Sequence, residues 1–336
     1  MAQASAAPAG NTVKNYLSLV KFSHTIFALP FALIGFCLGV RGFPVVNAVS
    51  IIPGWHTNIL SPLAAKQWNL NHTLGWDKDN PIIYTWGDIA LKFLLVLICM
   101  VTARSAAMAF NRYLDRSFDA KNPRTAIREI PRGIIAPGSA LRFVILNCII
   151  FLVATFFINT ICFYLAPVAL FVILFYSYTK RFTPLCHLVL GLGLSLAPIG
   201  AYLAVTGRFD WLPLFFSFAV ICWVSGFDII YALQDVDFDK SQKLYSIPAA
   251  VGKSGALRIS ELLHVISAAC VITAGIYGQF HFIYWAGVAV FVGMLIYQHS
   301  IVKPNDLSKV NIAFMTANGI ASVVFGALVI ADIFLL

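Results

Sequence analysis

The chain reads as a series of long apolar runs separated by short charged segments. Nine windows reach about the length of a bilayer-spanning helix, which needs roughly 20 mostly apolar residues. They are 23–41, 89–111, 139–158, 161–179, 184–206, 211–234, 255–277, 280–299 and 310–335. The runs do not alternate as membrane strands must, and within hydrocarbon each backbone group has to be bonded inside its own segment. The pattern therefore predicts an all-α polytopic membrane protein with nine transmembrane helices. Pro30 is expected to kink the first span, and His24 is expected at the interface rather than as a ligand. The other histidines show no metal-ligand spacing. Between the first two spans, residues 42–86 carry four prolines and four tryptophans (Trp55, Trp68, Trp76 and Trp86). They read as an extracytoplasmic insertion. Residues 1–20 have no basic stretch joined to an apolar core, so a loose tail is expected there rather than a signal or transit peptide.

Composition narrows the class. The 336 residues are 60% hydrophobic and 11% charged, whereas a soluble domain carries roughly a quarter charged. All seven cysteines fall in the apolar windows without a Cys-x-x-Cys pair, which fits small core residues rather than metal or disulfide chemistry. With nine spans, the N-terminus and the loops near 112–138, 180–183, 235–254 and 300–309 share one side. That side holds 17 of the 23 basic residues; the other has five (Arg41, Lys66, Lys78, Lys92 and Arg208), and Arg104 lies within a span. The excess places the first side in the cytoplasm, with the N-terminus inside and the C-terminus outside. The net charge of +9 is thus a topology signal and calls for no nucleic acid.

Two cytoplasmic segments carry acids at helical spacing: Asn111-x3-Asp115-x3-Asp119 after the second span, and Asp228-x6-Asp235-x3-Asp239 after the sixth. On a continuous helix the first row spreads over roughly 80° and the second over about 40°, with Asp237 on the opposite side. Crowded carboxylates need a positive partner. Mg2+ fits, since it takes oxygen ligands from one or two carboxylates plus substrate phosphates. Lys121, Arg124, Arg128, Lys180 and Lys240 are placed to meet phosphate oxygens. Asp228 lies within the span, where a charge costs at least about 2.5 kcal/mol, and is a functional candidate on that ground. Arg104 precedes Asn111 by seven residues, hence about 20° away on the wheel and roughly 10 Å deeper. Two readings stay open for it: partner to an acceptor carboxylate, or structural pair of Asp228 or of helix carbonyls.

Together these motifs resemble the UbiA superfamily of intramembrane aromatic prenyltransferases. Asn111, Asp115 and Asp119, followed by Arg124, Thr125, Ala126 and Arg128, match the first motif of that family. Asp228, Tyr231, Ala232, Asp235 and Asp239 match the second, and Ser246, Ile247, Pro248, Gly252 and Lys253 a later element. The similarity runs from about Lys21 through the ninth span, leaving out 42–86. Arg112 stands where many members have Asp, and Glu129 and Ile130 follow Arg128 where Pro is usual. Asn-Arg and Asn-Pro-Arg-Thr bring the chain near the 4-hydroxybenzoate polyprenyltransferase-like branch.

The resemblance implies a UbiA-type bundle over 21–336 that transfers a polyprenyl group from its diphosphate to an aromatic acid in quinone biosynthesis. A naphthoate for menaquinone, and haem- or chlorophyll-type acceptors, remain as alternatives. It implies Mg2+ held by Asn111, Asp115, Asp119, Asp235 and Asp239. Asp115, Asp235, Asp228 and Tyr231 are expected at the reacting centre, and Arg104, Lys121, Arg124, Arg128, Lys180 and Lys240 on the substrates. Membrane lipid surrounds the protein, with no obligate protein partner, in a bacterial plasma membrane with the site facing the cytoplasm. A secondary transporter is the non-enzyme alternative, but such sites lie near the bilayer midplane and these acids cluster where helices leave it.

Overall fold

The structure, a computed structural model, describes residues 12–20, 27–41, 45–46 and 84–336. His24 and nearly all of the expected insertion lie outside them. Helix α1 is Thr12–Leu19. Leu19 is fully buried in a cluster with Ala106, Ala109 and Ile130, and the Tyr16 ring packs 4.8 Å from Phe143. The expectation of a loose tail is corrected over this stretch, because Tyr16, Leu19 and Val20 fall at helical spacing and have a surface to cover. Helix α2 is Leu29–Arg41. Pro30 sits in its first turn, where the missing N–H has no partner to lose, so it starts the helix instead of kinking it. Val45–Val46 and Tyr84–Thr85 form a two-residue parallel ladder.

Helix α3, Trp86–Leu114, opens with a capping box between Thr85 and Asp88. After the short α4, Arg116–Asp119, come α5, Pro137–Ile158, and α6, Thr160–Thr179. These are followed by α7, Cys186–Thr206, and α8, Trp211–Ala232. A 3-10 turn, Leu233–Asp235, leads to the short α9, Val236–Ser241. Then come α10, Ile247–Tyr277, α11, Phe282–Ile301, a π-helical turn, Ile312–Ala317, and α12, Asn318–Leu335. Among the described residues eight helices are long and apolar enough to cross a bilayer, and α2 is a shorter apolar helix. The molecule is a multi-pass integral membrane protein.

Small residues let the helices approach. A methyl group added at Gly35 of α2 would lie 2.0 Å from the Pro198 carbonyl oxygen of α7, and one at Gly191 of α7 would lie 2.5 Å from the Ile221 oxygen of α8. Such crossings suit a membrane, where packing rather than water exclusion holds helices together. Beside them Phe31, Phe216, Trp223, Tyr284, Phe291 and Phe325 form a fully buried aromatic core. A π-turn leaves carbonyls without their usual helical partners. Asn318 meets two of them, Ala313 and Phe314, through its Nδ2, while its Oδ1 accepts from Trp223 and Gln298.

Candidate active site

Both acidic rows break at their central residue. Asp115 ends α3 with φ −86 and ψ 5, and Asp235 precedes α9 with φ −103 and ψ 5. Both lie in the sparsely populated bridge region. This corrects the expectation of one helix running through each row. Each break carries an aspartate tied to another segment: Arg181 donates to Asp115 at 3.0 Å, and Arg124 grips Asp235 through Nη2 at 2.5 Å and Nε at 3.2 Å.

The remaining acids are also paired. Asp119 accepts from Arg128 at 2.8 and 2.9 Å, Asp239 forms an ion pair with Lys180 at 2.7 Å, and Asp228 lies 2.6 Å from His187 Nδ1. Asn111 Nδ2 donates to Asp115 at 3.2 Å. Arg124 also reaches the Tyr231 hydroxyl at 3.1 Å, and Tyr231 packs 4.3 Å from the Phe314 ring that the π-turn presents. Burial pushes the Asp115 carboxyl up to about 6; Arg181 opposes the shift and Asp119 adds to it. Burial works against the charge of Lys180, but Asp239 outweighs it and raises the ammonium above its usual range.

These groups frame one cavity of about 660 Å3. Arg104, Asn111, Asp115, Asp119, Arg124, Arg128, Lys180, Asp228, Tyr231 and Asp235 all stand on its wall, beside apolar residues that include Met100, Phe151, Ile158, Leu194 and Ala204. From His187 to Ala204 the wall follows α7 for roughly 25 Å, so a charged mouth opens into an apolar channel.

Three expected residues are placed elsewhere. Asp239 is fully buried behind the wall, where it also accepts from Ser246 at 2.9 Å. Ser246 caps α10 as well, which accounts for the Ser-Ile-Pro element. Lys121 bonds Gln242 at 3.3 Å and so bridges the two loops, and Lys240 is exposed.

The structure adds residues that sequence reasoning missed. Arg181 was counted only as topology, although it follows Lys180 at the same turn. Asn122 reaches Asp235 at 3.4 Å. His187 carried no ligand spacing, yet it opens an apolar span directly after the basic turn. Arg112 and Glu129, the two departures from the family pattern, form an ion pair with each other, and Ser18 of α1 donates to the same carboxylate. Arg104 is not paired with Asp228, and its Nε has no hydrogen-bond partner among the described residues.

The bundle thus joins a charged mouth to an apolar channel lined by its long helices. Residues 83–320 match the UbiA prenyltransferase family, and the chain belongs to that family. It is 29% identical over 246 residues to the 4-hydroxybenzoate octaprenyltransferase of Nitrosospira multiformis, covering 72% of this chain and 82% of that protein. It is equally identical to the enzyme of that name from Tolumonas auensis, over 73% and 86% of the two chains. The fold is similar to the apo structure of a UbiA homologue from Aeropyrum pernix K1, with TM-score 0.72, 27% identity and coverage of 92% and 98%. It is also similar to a UbiA homologue from Archaeoglobus fulgidus bound to DMAPP and Mg2+, with TM-score 0.64, 19% identity and coverage of 96% and 100%.

Proposed function

We propose that the chain transfers a polyprenyl group from polyprenyl diphosphate to an aromatic acid of the 4-hydroxybenzoate type, with Mg2+ at the diphosphate. The supporting observation is the single cavity that carries both acidic rows and their bases at one end and an apolar channel beyond. The donor set suits Mg2+: Asn111, Asp115, Asp119 and Asp235 line the same cavity and offer oxygen ligands. Among the described residues no three His, Cys, Asp or Glu side chains gather to hold a metal by themselves; Mg2+ is typically held by one or two carboxylates plus substrate phosphates and water. When bound, the ion would neutralise the leaving diphosphate. Arg124, Arg128 and Lys180 are within reach of phosphate oxygens and add charge-assisted hydrogen bonds. Tyr231 and Phe314 present aromatic faces to an allylic cation. The channel shields the tail and excludes water from the reacting carbon. Arg104, deeper on the wall, binds the acceptor carboxylate.

The basic asymmetry and the bacterial relatives support an inner-membrane location with the mouth on the cytoplasmic side. The direct test is to supply membranes containing the protein with labelled prenyl diphosphate and a panel of hydroxybenzoates, naphthoates and haem. Label should enter a hydroxybenzoate in the presence of Mg2+. Label only in haem, or transport of an intact acid without prenylation, contradicts the reading.

A further inference from the structure

His187 stands in the first turn of α7 on the cavity wall and is 3% exposed. Its Nδ1 lies 2.6 Å from Asp228, while its buried Nε2 has no hydrogen-bond partner among the described residues. A carboxylate only accepts, so Nδ1 carries the proton, and whenever the ring is otherwise unprotonated its Nε2 presents a lone pair. Leaving such an atom buried and unmet costs about 1–3 kcal/mol, a penalty that a ligand hydroxyl would remove. The backbone here is tied to α8, because Ser225 Oγ donates to the His187 carbonyl at 3.1 Å. The titratable groups acting on this ring are Asp228 on α8 and Cys186 on its own helix; Tyr176 of α6, Lys180 just after it, Arg104 of α3 and Asp115 at its end line the same cavity. Among the described residues, Asp228 makes the short bond to the ring. Asp228 precedes Asp235 by seven residues, which sets the dyad roughly 10 Å below the diphosphate end, at the depth of Arg104.

Given the proposed transferase reaction, we infer that His187 is the general base that takes the phenolic proton of the acceptor. Its Nε2 removes the hydroxyl proton, and the released electron pair raises the electron density of the ring carbon beside the oxygen. That carbon forms a C–C bond to the allylic carbon as the C–O bond to diphosphate breaks and its electron pair leaves with the diphosphate. The product is a ring ketone that still bears the hydrogen at the new bond. That hydrogen leaves as a proton to the diphosphate, and the imidazolium returns its own proton to the oxygen, restoring the phenol and the neutral histidine. Asp228 is a positioning residue that fixes the tautomer and favours the transient cation.

The test uses the purified full chain, a prenyl diphosphate, and two acceptors: 4-hydroxybenzoate and a ring-fluorinated analogue whose more acidic phenol depends less on a base. His187→Gln should lower kcat for 4-hydroxybenzoate by about 100-fold or more. It should leave KM for the donor unchanged and recover most of the loss with the fluorinated acid. In the wild type, independently of how the variant folds, the solvent deuterium isotope effect on kcat should be larger for 4-hydroxybenzoate than for the analogue. A variant impaired equally on both acceptors, or a wild-type isotope effect equal for both, overturns the base. An unimpaired variant overturns it while leaving the transferase reading intact. A wild type that prenylates neither acid overturns both.

Discussion

Asp237 and Asp239 are two residues apart, yet Asp237 is exposed and Asp239 is fully buried against Lys180 and Ser246. Asp237→Asn should therefore be close to neutral. Asp239→Asn keeps the volume and one acceptor but strands the ammonium; it should lower stability by about 2 kcal/mol and impair turnover, as read by thermal unfolding in detergent and by prenyl transfer. Equal effects at both sites would contradict the buried pair. Asp115 gives the pH dependence. Burial raises its carboxyl to about 6, so the group is charged above that pH and protonated below it. A protonated carboxyl neither binds a cation nor pairs with Arg181. Apparent Mg2+ affinity should be level above pH 7 and fall as the pH drops through 6, with roughly a tenth of the group ionised at pH 5; a Mg2+ titration flat from pH 7 to 5 would contradict it. Arg104, with its unmet Nε on the cavity wall, is read as the acceptor's anion partner. Arg104→Gln should raise KM for the aromatic acid at least tenfold and leave KM for the donor nearly unchanged. Loss of donor affinity alone would return Arg104 to a structural role.

At the scale of elements, hydropathy located the spanning helices well, because a bilayer enforces length and apolarity on each of them. It was silent about where the acidic rows bend. A helical wheel assumes continuity, whereas Asp115 and Asp235 leave helical geometry at the residues held by Arg181 and Arg124, contacts that join positions far apart in sequence. Pro30 shows the same limit. The residue type signals a disturbance, and only the start of α2 at Leu29 shows that none arises. The close crossing of α2 and α7 is equally hidden, since Gly35 is one glycine among 22. Gly35→Ala should drive its methyl onto the Pro198 carbonyl and cost roughly 1–3 kcal/mol through overpacking, seen as a lower unfolding midpoint. An unchanged midpoint would mean that the two helices separate freely.

At the scale of the whole molecule, the bundle brings together α3, α6, α7 and α8, so that acids and bases separated by more than 100 residues meet at one mouth. The sequence made the acids legible because charge at the end of an apolar run stands out. It did not reveal the pairing of each acid with a base, nor the His187–Asp228 contact, since a lone histidine beside an apolar run has no period or spacing to mark it. The central claim is that the two rows act on one diphosphate. The most direct measurement is turnover of labelled prenyl diphosphate against Mg2+ for the wild type, Asp115→Ala and Asp235→Ala, each first shown to be folded and membrane-inserted. Both substitutions should abolish transfer at every Mg2+ concentration; an Asp115→Ala protein that keeps most of its activity at saturating Mg2+ would contradict a shared role for the two rows.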